Sequence, residues 1–136
     1  MNQGRSPASV VSAMRQSAGG WWSARPSGEL LALYTISDDT YYRAHHAYVT
    51  RGNEPSQFDS VRAVYFLGHL AGLNPDYLGR EWLEVEQDLA IGWGEVGPLW
   101  SDVSHFAQAG FARAASARED AWRARLAESD EAWNAA

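Results

Sequence analysis

The chain contains no cysteine, which excludes a disulfide framework and thiolate chemistry. It contains no lysine either: all eleven basic residues are arginine. Schiff-base and P-loop lysines are therefore excluded, and every cation is a planar, bidentate donor able to stack on rings. Long apolar runs are missing as well. Residues 1–20 lack the apolar core of a signal peptide, and no stretch approaches a membrane span. A cytoplasmic location is expected, with membrane contact only through a partner. The net charge of −6 argues against a nucleic-acid backbone as ligand.

Catalytic signatures are also lacking. There is no His-Glu-x-x-His, no Glu-x-x-His and no pair of histidines four apart, so a zinc or di-iron site is not expected. Neither a Gly-x-Ser-x-Gly elbow nor a Gly-rich phosphate loop occurs. No catalytic residue, metal or cofactor is expected.

Aromatic residues are plentiful instead: seven Trp and six Tyr in 136 residues. Their rings bury well, but each indole N–H and phenol O–H needs a partner, so the core is expected to be partly polar. The length suits one domain. Residues 1–28 read as an N-terminal arm, with a short helix from Ser6-Pro7 to Gly19-Gly20. Trp21 and Trp22 are costly to leave in water and should anchor on the domain's own core or on a partner. Residues 29–117 form a helical domain and 118–136 a docked or frayed helical tail bearing Trp122, Leu126 and Trp133. Within the domain, 30–36 is open between strand and helix. Asp38-Asp39 caps a helix over 40–51 that Gly52 ends, Pro55-Ser56 starts another over 56–72, and further helices cover 79–96 and 98–117. The fold class is all-α, a small bundle of about four to five helices.

Two of these helices repeat one design. Trp82, Val85, Gly92 and Trp93 correspond to Trp100, Val103, Gly110 and Phe111, eighteen residues on. Each set falls on one helical face, and the Gly97-Pro98 turn between them predicts an antiparallel hairpin of 79–96 and 98–117. Gly68, Gly92 and Gly110 lie mid-helix, where glycine costs about 1 kcal/mol against alanine. Close helix crossing is the expected reason for them.

Helix 56–72 is apolar almost all round, with Arg62 and His69 as polar exceptions on a shared flank. Glu86 sits at the edge of the core face of 79–96 and should pair with Arg62 or Arg43. His45 is placed towards the core with Tyr41, while His46 and His105 are placed in solvent. Arg43, His45, Arg62, His69 and Glu86 are thus expected to form a structural polar network. The alternative is a small enzyme or ligand-binding protein using His45, Arg62, His69 and Glu86 around one pocket.

Asp38-Asp39-x-Tyr41-Tyr42-Arg43-x-His45 opens a longer pattern. It continues through Arg62-Ala63-x-Tyr65-x-x-Gly68, Pro75-x-Tyr77-x-Gly79-Arg80-x-Trp82, Val85-Glu86-x-Asp88-Leu89, Trp93, Trp100-x-x-Val103 and Gly110-Phe111. Over roughly residues 38–115 this resembles an uncharacterised Trp/Tyr-rich helical domain of bacterial stress-associated proteins. The resemblance implies a stress-associated protein without known catalytic residues. The chain departs from that pattern at Phe66, Ala90 and Gln108, where arginine is usual beside an aromatic, and at Phe111 in place of Trp. A non-enzymatic, protein-binding or accessory role is the resulting expectation, with a protein partner or a homo-oligomer. Trp21, Trp22, Phe66, Ile91, Trp122 and Trp133 are the candidate contact residues.

Overall fold

The computed structural model describes residues 6–17, 20–51, 58–94 and 98–135. Those residues are all-α, with seven helices and no strand. The helices are α1 (Pro7–Ser17), α2 (Trp21–Ala24), α3 (Ser27–Ala32), α4 (Ile36–Thr50), α5 (Phe58–Leu73), α6 (Trp82–Trp93) and α7 (Trp100–Ala135). A short 3-10 turn, Pro75–Tyr77, separates α5 from α6. The expected features at Gly19, Gly52, Pro55-Ser56 and Gly97 lie outside the described residues, as does the side chain of Trp133.

Local chemistry sets several boundaries. Pro7 opens α1, where its missing N–H leaves no bond unmade. The run 30–36 is not a strand: α3 ends at Ala32, and Thr35 begins α4. Thr35, and not the Asp pair, is the cap residue. Its hydroxyl accepts from the Asp38 N–H at 3.2 Å, and the Asp38 carboxylate accepts from the Thr35 N–H at 2.9 Å. This reciprocal box satisfies two of the helix's orphan donors and starts α4 four residues earlier than 40. Asn74 caps the 3-10 turn in a similar way, accepting from Asp76 N–H at 2.8 Å.

The helix α5 is the axis of the body. Twelve of its sixteen residues are buried, and it touches α1, α4, α6 and α7. That matches an apolar pattern with no solvent face. Its most extensive contact is with α7, in the same chain direction: Tyr65 lies beside Phe106, Gly68 against Ala107, and Gly72 against Phe111 and Ala114. The mid-helix glycines make this approach possible. A methyl at Gly110 would stand 2.6 Å from the Tyr65 carbonyl oxygen, and one at Gly68 would run into the Ala107 backbone.

The repeat helices form the antiparallel hairpin. Trp82 at the start of α6 packs on Phe111, and Trp93 at its end packs on Trp100, with ring centroids 5.6 and 6.3 Å apart. The first helix, α1, covers α5 and α6 through fully buried Val10, Val11 and Met14, and Trp22 is buried with them. Of the two expected roles for Trp22, the anchor on the domain's own core is the one observed. The tail is not a separate element. Residues 118–135 continue α7 without a break, giving a helix of 36 residues, about 54 Å long.

Candidate functional site

The first turn of α4 gathers a cluster of charged side chains. Asp39 accepts from the Tyr34 hydroxyl at 2.9 Å and from Arg62 Nε at 2.9 Å, with Arg43 Nη2 at 3.8 Å. Arg62 also reaches Asp59 at 3.2 Å and lies over the Phe58 ring. Asp38 accepts from the Thr35 N–H and hydroxyl, both at 2.9 Å, and faces His69 Nε2 at 3.5 Å and Arg113 Nη2 at 3.6 Å. Burial alone would raise the Asp38 carboxyl. The Thr35 backbone N–H, His69, the Thr35 hydroxyl and Arg113 outweigh it and hold that carboxyl below the ordinary value. Arg113 is in turn stacked on the exposed ring of Tyr41 at 3.9 Å.

Behind the acids runs a row of rings. Tyr34, Tyr42 and Tyr65 stack at centroid separations of 5.8 and 5.0 Å, and Phe106 follows at 5.2 Å. His69 closes the row. Its Nε2 lies 3.0 Å from the Leu33 carbonyl oxygen and beside the Asp38 carboxylate, both acceptors, so Nε2 carries the proton. Nδ1 then accepts from the Tyr42 hydroxyl at 2.7 Å. Burial depresses the His69 pKa, against the opposing pull of Leu33 and Asp38, and keeps the neutral ring. At the other end, His45 Nδ1 pairs with the Tyr65 hydroxyl at 2.8 Å. The same row therefore fastens the α3–α4 turn and α4 to both α5 and α7.

A shallow recess of about 360 Å³ opens over this cluster, lined by Asp38, Tyr41, His69, Leu73, Arg113 and Asp120 among others. Asp38, His69 and Arg113 already face one another across it. The arrangement supplies satisfied hydrogen bonds, and the hydroxyls set beside its imidazoles, Tyr42 against His69 and Tyr65 against His45, belong to fully buried residues. Among the described residues no group of three or more His, Asp or Glu is placed to hold a metal ion.

The expected network is present only in part. Arg43, Arg62 and His69 converge, but on Asp38 and Asp39. Glu86 does not join them: among the described residues it forms no ion pair, and it borders a separate shallow recess with Gln87, Trp100, Ser101 and Ser104. The expected Glu86–Arg pair is thereby overturned, because Arg62 and Arg43 have closer carboxylates on α4. The histidines of α4 are also exchanged. His46 is buried between Phe58 and Phe106 at 5.9 and 5.3 Å, while His45 is only half-buried. The inward stripe of α4 is Tyr42 and His46, one position along from Tyr41 and His45, which is a rotation of about 100°. His105 is exposed, as expected. A signal for the true centre existed in the two acids one turn into a capped helix, opposite an Arg and a His seven residues apart.

The contact candidates also divide. Trp22 and Phe66 are each 1% exposed and offer nothing to a partner. Phe66 sits in the core beside Tyr34 and fills the interior. Trp21 is half-buried against Trp22. Ile91 is 69% exposed and Trp122 60%. Trp122 stands with Leu126 on the part of α7 where every residue from 119 to 129 is exposed. Arg118, whose Nη1 donates to the Asn74 carbonyl at 3.2 Å, is the last described tie between α7 and the body. No described helix is long and apolar enough to cross a membrane.

Comparison of the chain with protein-family models, curated proteins and solved structures gave no match.

Proposed function

We propose that the chain is a non-enzymatic protein-binding module, or an accessory subunit of a larger assembly, and that it binds through the free end of α7. The observation that carries this reading is the pair Trp122 and Leu126, 60% and 47% exposed, on a helix that runs on past its own core. An indole left in water forfeits a large favourable burial, and Trp is among the residues that dominate interface energies. The polar cluster supports the same reading, since Asp38, Asp39, Arg62 and His69 serve to join helices. The resemblance to a stress-associated bacterial domain would set such a role in a bacterial stress response.

The test is a Trp122→Ser/Leu126→Ser double variant of the full chain. The body of the variant should stay folded, seen as a single cooperative thermal transition. Its complexes, trapped by chemical crosslinking in the host and sized on a native gel, should be lost. Unchanged complexes would refute the assignment of the free end of α7.

A further inference from the structure

We propose that the free end of α7 pairs with the same segment of a second copy of this chain, antiparallel, in a two-helix seam centred between Leu126 and Ala127. This rests on the reading of that segment as the binding element, and it names the partner.

The face comes first. At 100° per residue, Ala115, Arg118, Leu126 and Ser129 all fall within about 40° of Trp122 on the helical wheel. The residues of α7 that are buried in the body, Val103, Phe106, Ala107, Gly110 and Ala114, lie roughly 60–160° away from that direction. The stripe can therefore be covered by another helix without disturbing the α5–α7 contact.

Length is the second argument. Beyond Arg118, α7 continues from 119 to 135, which is 17 residues and about 26 Å. A lone helix of that length is marginal in water, and tertiary or quaternary packing is what makes such a helix persist. An antiparallel copy with its two-fold between Leu126 and Ala127 sets residue 118 level with the partner's residue 135. The two described segments then lie along one another, and the two bodies stay at opposite ends of the seam. Such a two-fold contact is isologous and closes on itself.

Charge is the third. The chain as a whole carries −6, and its stretch 118–135 holds three arginines, Arg118, Arg123 and Arg125, against five acids, Glu119, Asp120, Glu128, Asp130 and Glu131. A strongly acidic partner would meet repulsion from the five acids and a strongly basic one from the three arginines. A second copy can set arginine against acid. In the antiparallel register Arg125 stands level with the partner's Glu128, and Glu128 with the partner's Arg125. A parallel register would set Arg125 level with the partner's Arg125.

A charge exchange tests this on the full chain, by light scattering coupled to size exclusion. The parent should have twice the 15.0 kDa chain mass. Arg125→Glu and Glu128→Arg should each be monomeric alone, because each sets like charges across the seam. An equimolar mixture of the two should return to the doubled mass, since both cross-seam pairs are then opposite in sign. The absence of native cysteine gives a second readout. Leu126→Cys should form an intermolecular disulfide on oxidation. Ser129→Cys should not, because it is level with the partner's Ala124 and about 7.5 Å along the axis from its own copy, beyond the Cα separation a disulfide spans. A monomeric parent overturns the proposal, as does a mixture no heavier than its components or a Ser129→Cys disulfide as rapid as that of Leu126→Cys. If the parent is monomeric while the Trp122→Ser/Leu126→Ser variant loses a different protein, the self-pairing falls and the proposed function stands. If that variant loses no association at all, both fall.

Discussion

Replacing Gly110 by alanine should destabilise the protein, although alanine is the better helix former. Gly110 lies mid-way along α7, and its backbone is helical, so intrinsic propensity alone would favour alanine by about 1 kcal/mol. Against this stands the new methyl, 2.6 Å from the Tyr65 carbonyl oxygen and 2.8 Å from the His69 backbone nitrogen. Both neighbours are backbone, so no rotamer change relieves the collision, and α5 and α7 must separate by roughly 1 Å. A gap of that size forfeits a quarter to a half of the dispersion attraction across a contact. It would also stretch the Tyr42 hydroxyl–Gly110 carbonyl approach of 3.3 Å. Overpacking typically costs 1–3 kcal/mol, and here it falls on the longest helix contact in the body, so a net loss of about 2 kcal/mol is expected after the propensity gain. At this chain length that is a fall in melting temperature of roughly 5–10 °C. Gly28→Ala is the control. It sits in α3 with no atom within 4 Å of the added methyl, and it should leave stability unchanged or raise it by up to about 1 kcal/mol. Thermal melts of the two variants decide the matter. A Gly110→Ala protein as stable as its parent would show that α5 and α7 are not in the close contact described.

Asp39→Ala removes the acceptor shared by Tyr34 and Arg62. With both ion-pair partners still partly open to solvent, the loss should be about 1–2 kcal/mol in denaturant melts, and a change under about 0.3 kcal/mol would refute the shared-acceptor role. Glu86→Ala should cost less than about 0.5 kcal/mol in the same assay, since no ion pair is broken; a loss near 3 kcal/mol would mean that Glu86 holds a buried cation after all. The pH dependence follows from His69 and His45, whose pKa values burial depresses below the ordinary 6.5. In the window below 6.5 the unfolded chain binds protons that the folded one refuses, so stability present above pH 6.5 declines as the pH falls towards the folded values. Melts between neutral pH and the carboxylate range measure it, and His69→Gln should flatten the slope; a flat parent profile would mean that His69 is not buried neutral. At the other extreme, burial pushes Tyr77 up to about 12 and raises Tyr34, Tyr42 and Tyr65 as well. The folded chain then keeps protons that the unfolded one releases, and stability should fall as the pH rises above 10. Phenolate absorbance that appeared at ordinary tyrosine pH in the folded protein would contradict this.

By itself the sequence determined the class of the fold, the helical hairpin and the need for close crossing at Gly68 and Gly110. These are local properties. A period of 3.6 in apolar residues, a Gly-Pro break and a glycine where alanine would serve better can each be read from neighbours along the chain. It also located the polar exceptions of α5, because Arg62 and His69 interrupt an otherwise apolar helix. What it left open was every question that depends on how one helix is rotated against another. The partner of Arg62 could be named as a carboxylate, but whether Glu86 or Asp39 supplied it depended on which helix lay against that flank of α5. His45 and His46 are adjacent, so a difference of about 100° in the setting of α4 exchanges a buried ring for a half-buried one. Phe66, a contact candidate by its sequence, lies in the core, because apolarity says nothing of which face a residue occupies on a helix buried all round. The length of α7 was equally out of reach. The stretch 118–135 has the polar composition of a tail, and only the tertiary structure shows it as an unbroken continuation of a helix anchored in the core. A continuous helix takes its direction from the part that is packed, and so residues 119–129 of α7 hold Trp122 and Leu126 out in the solvent.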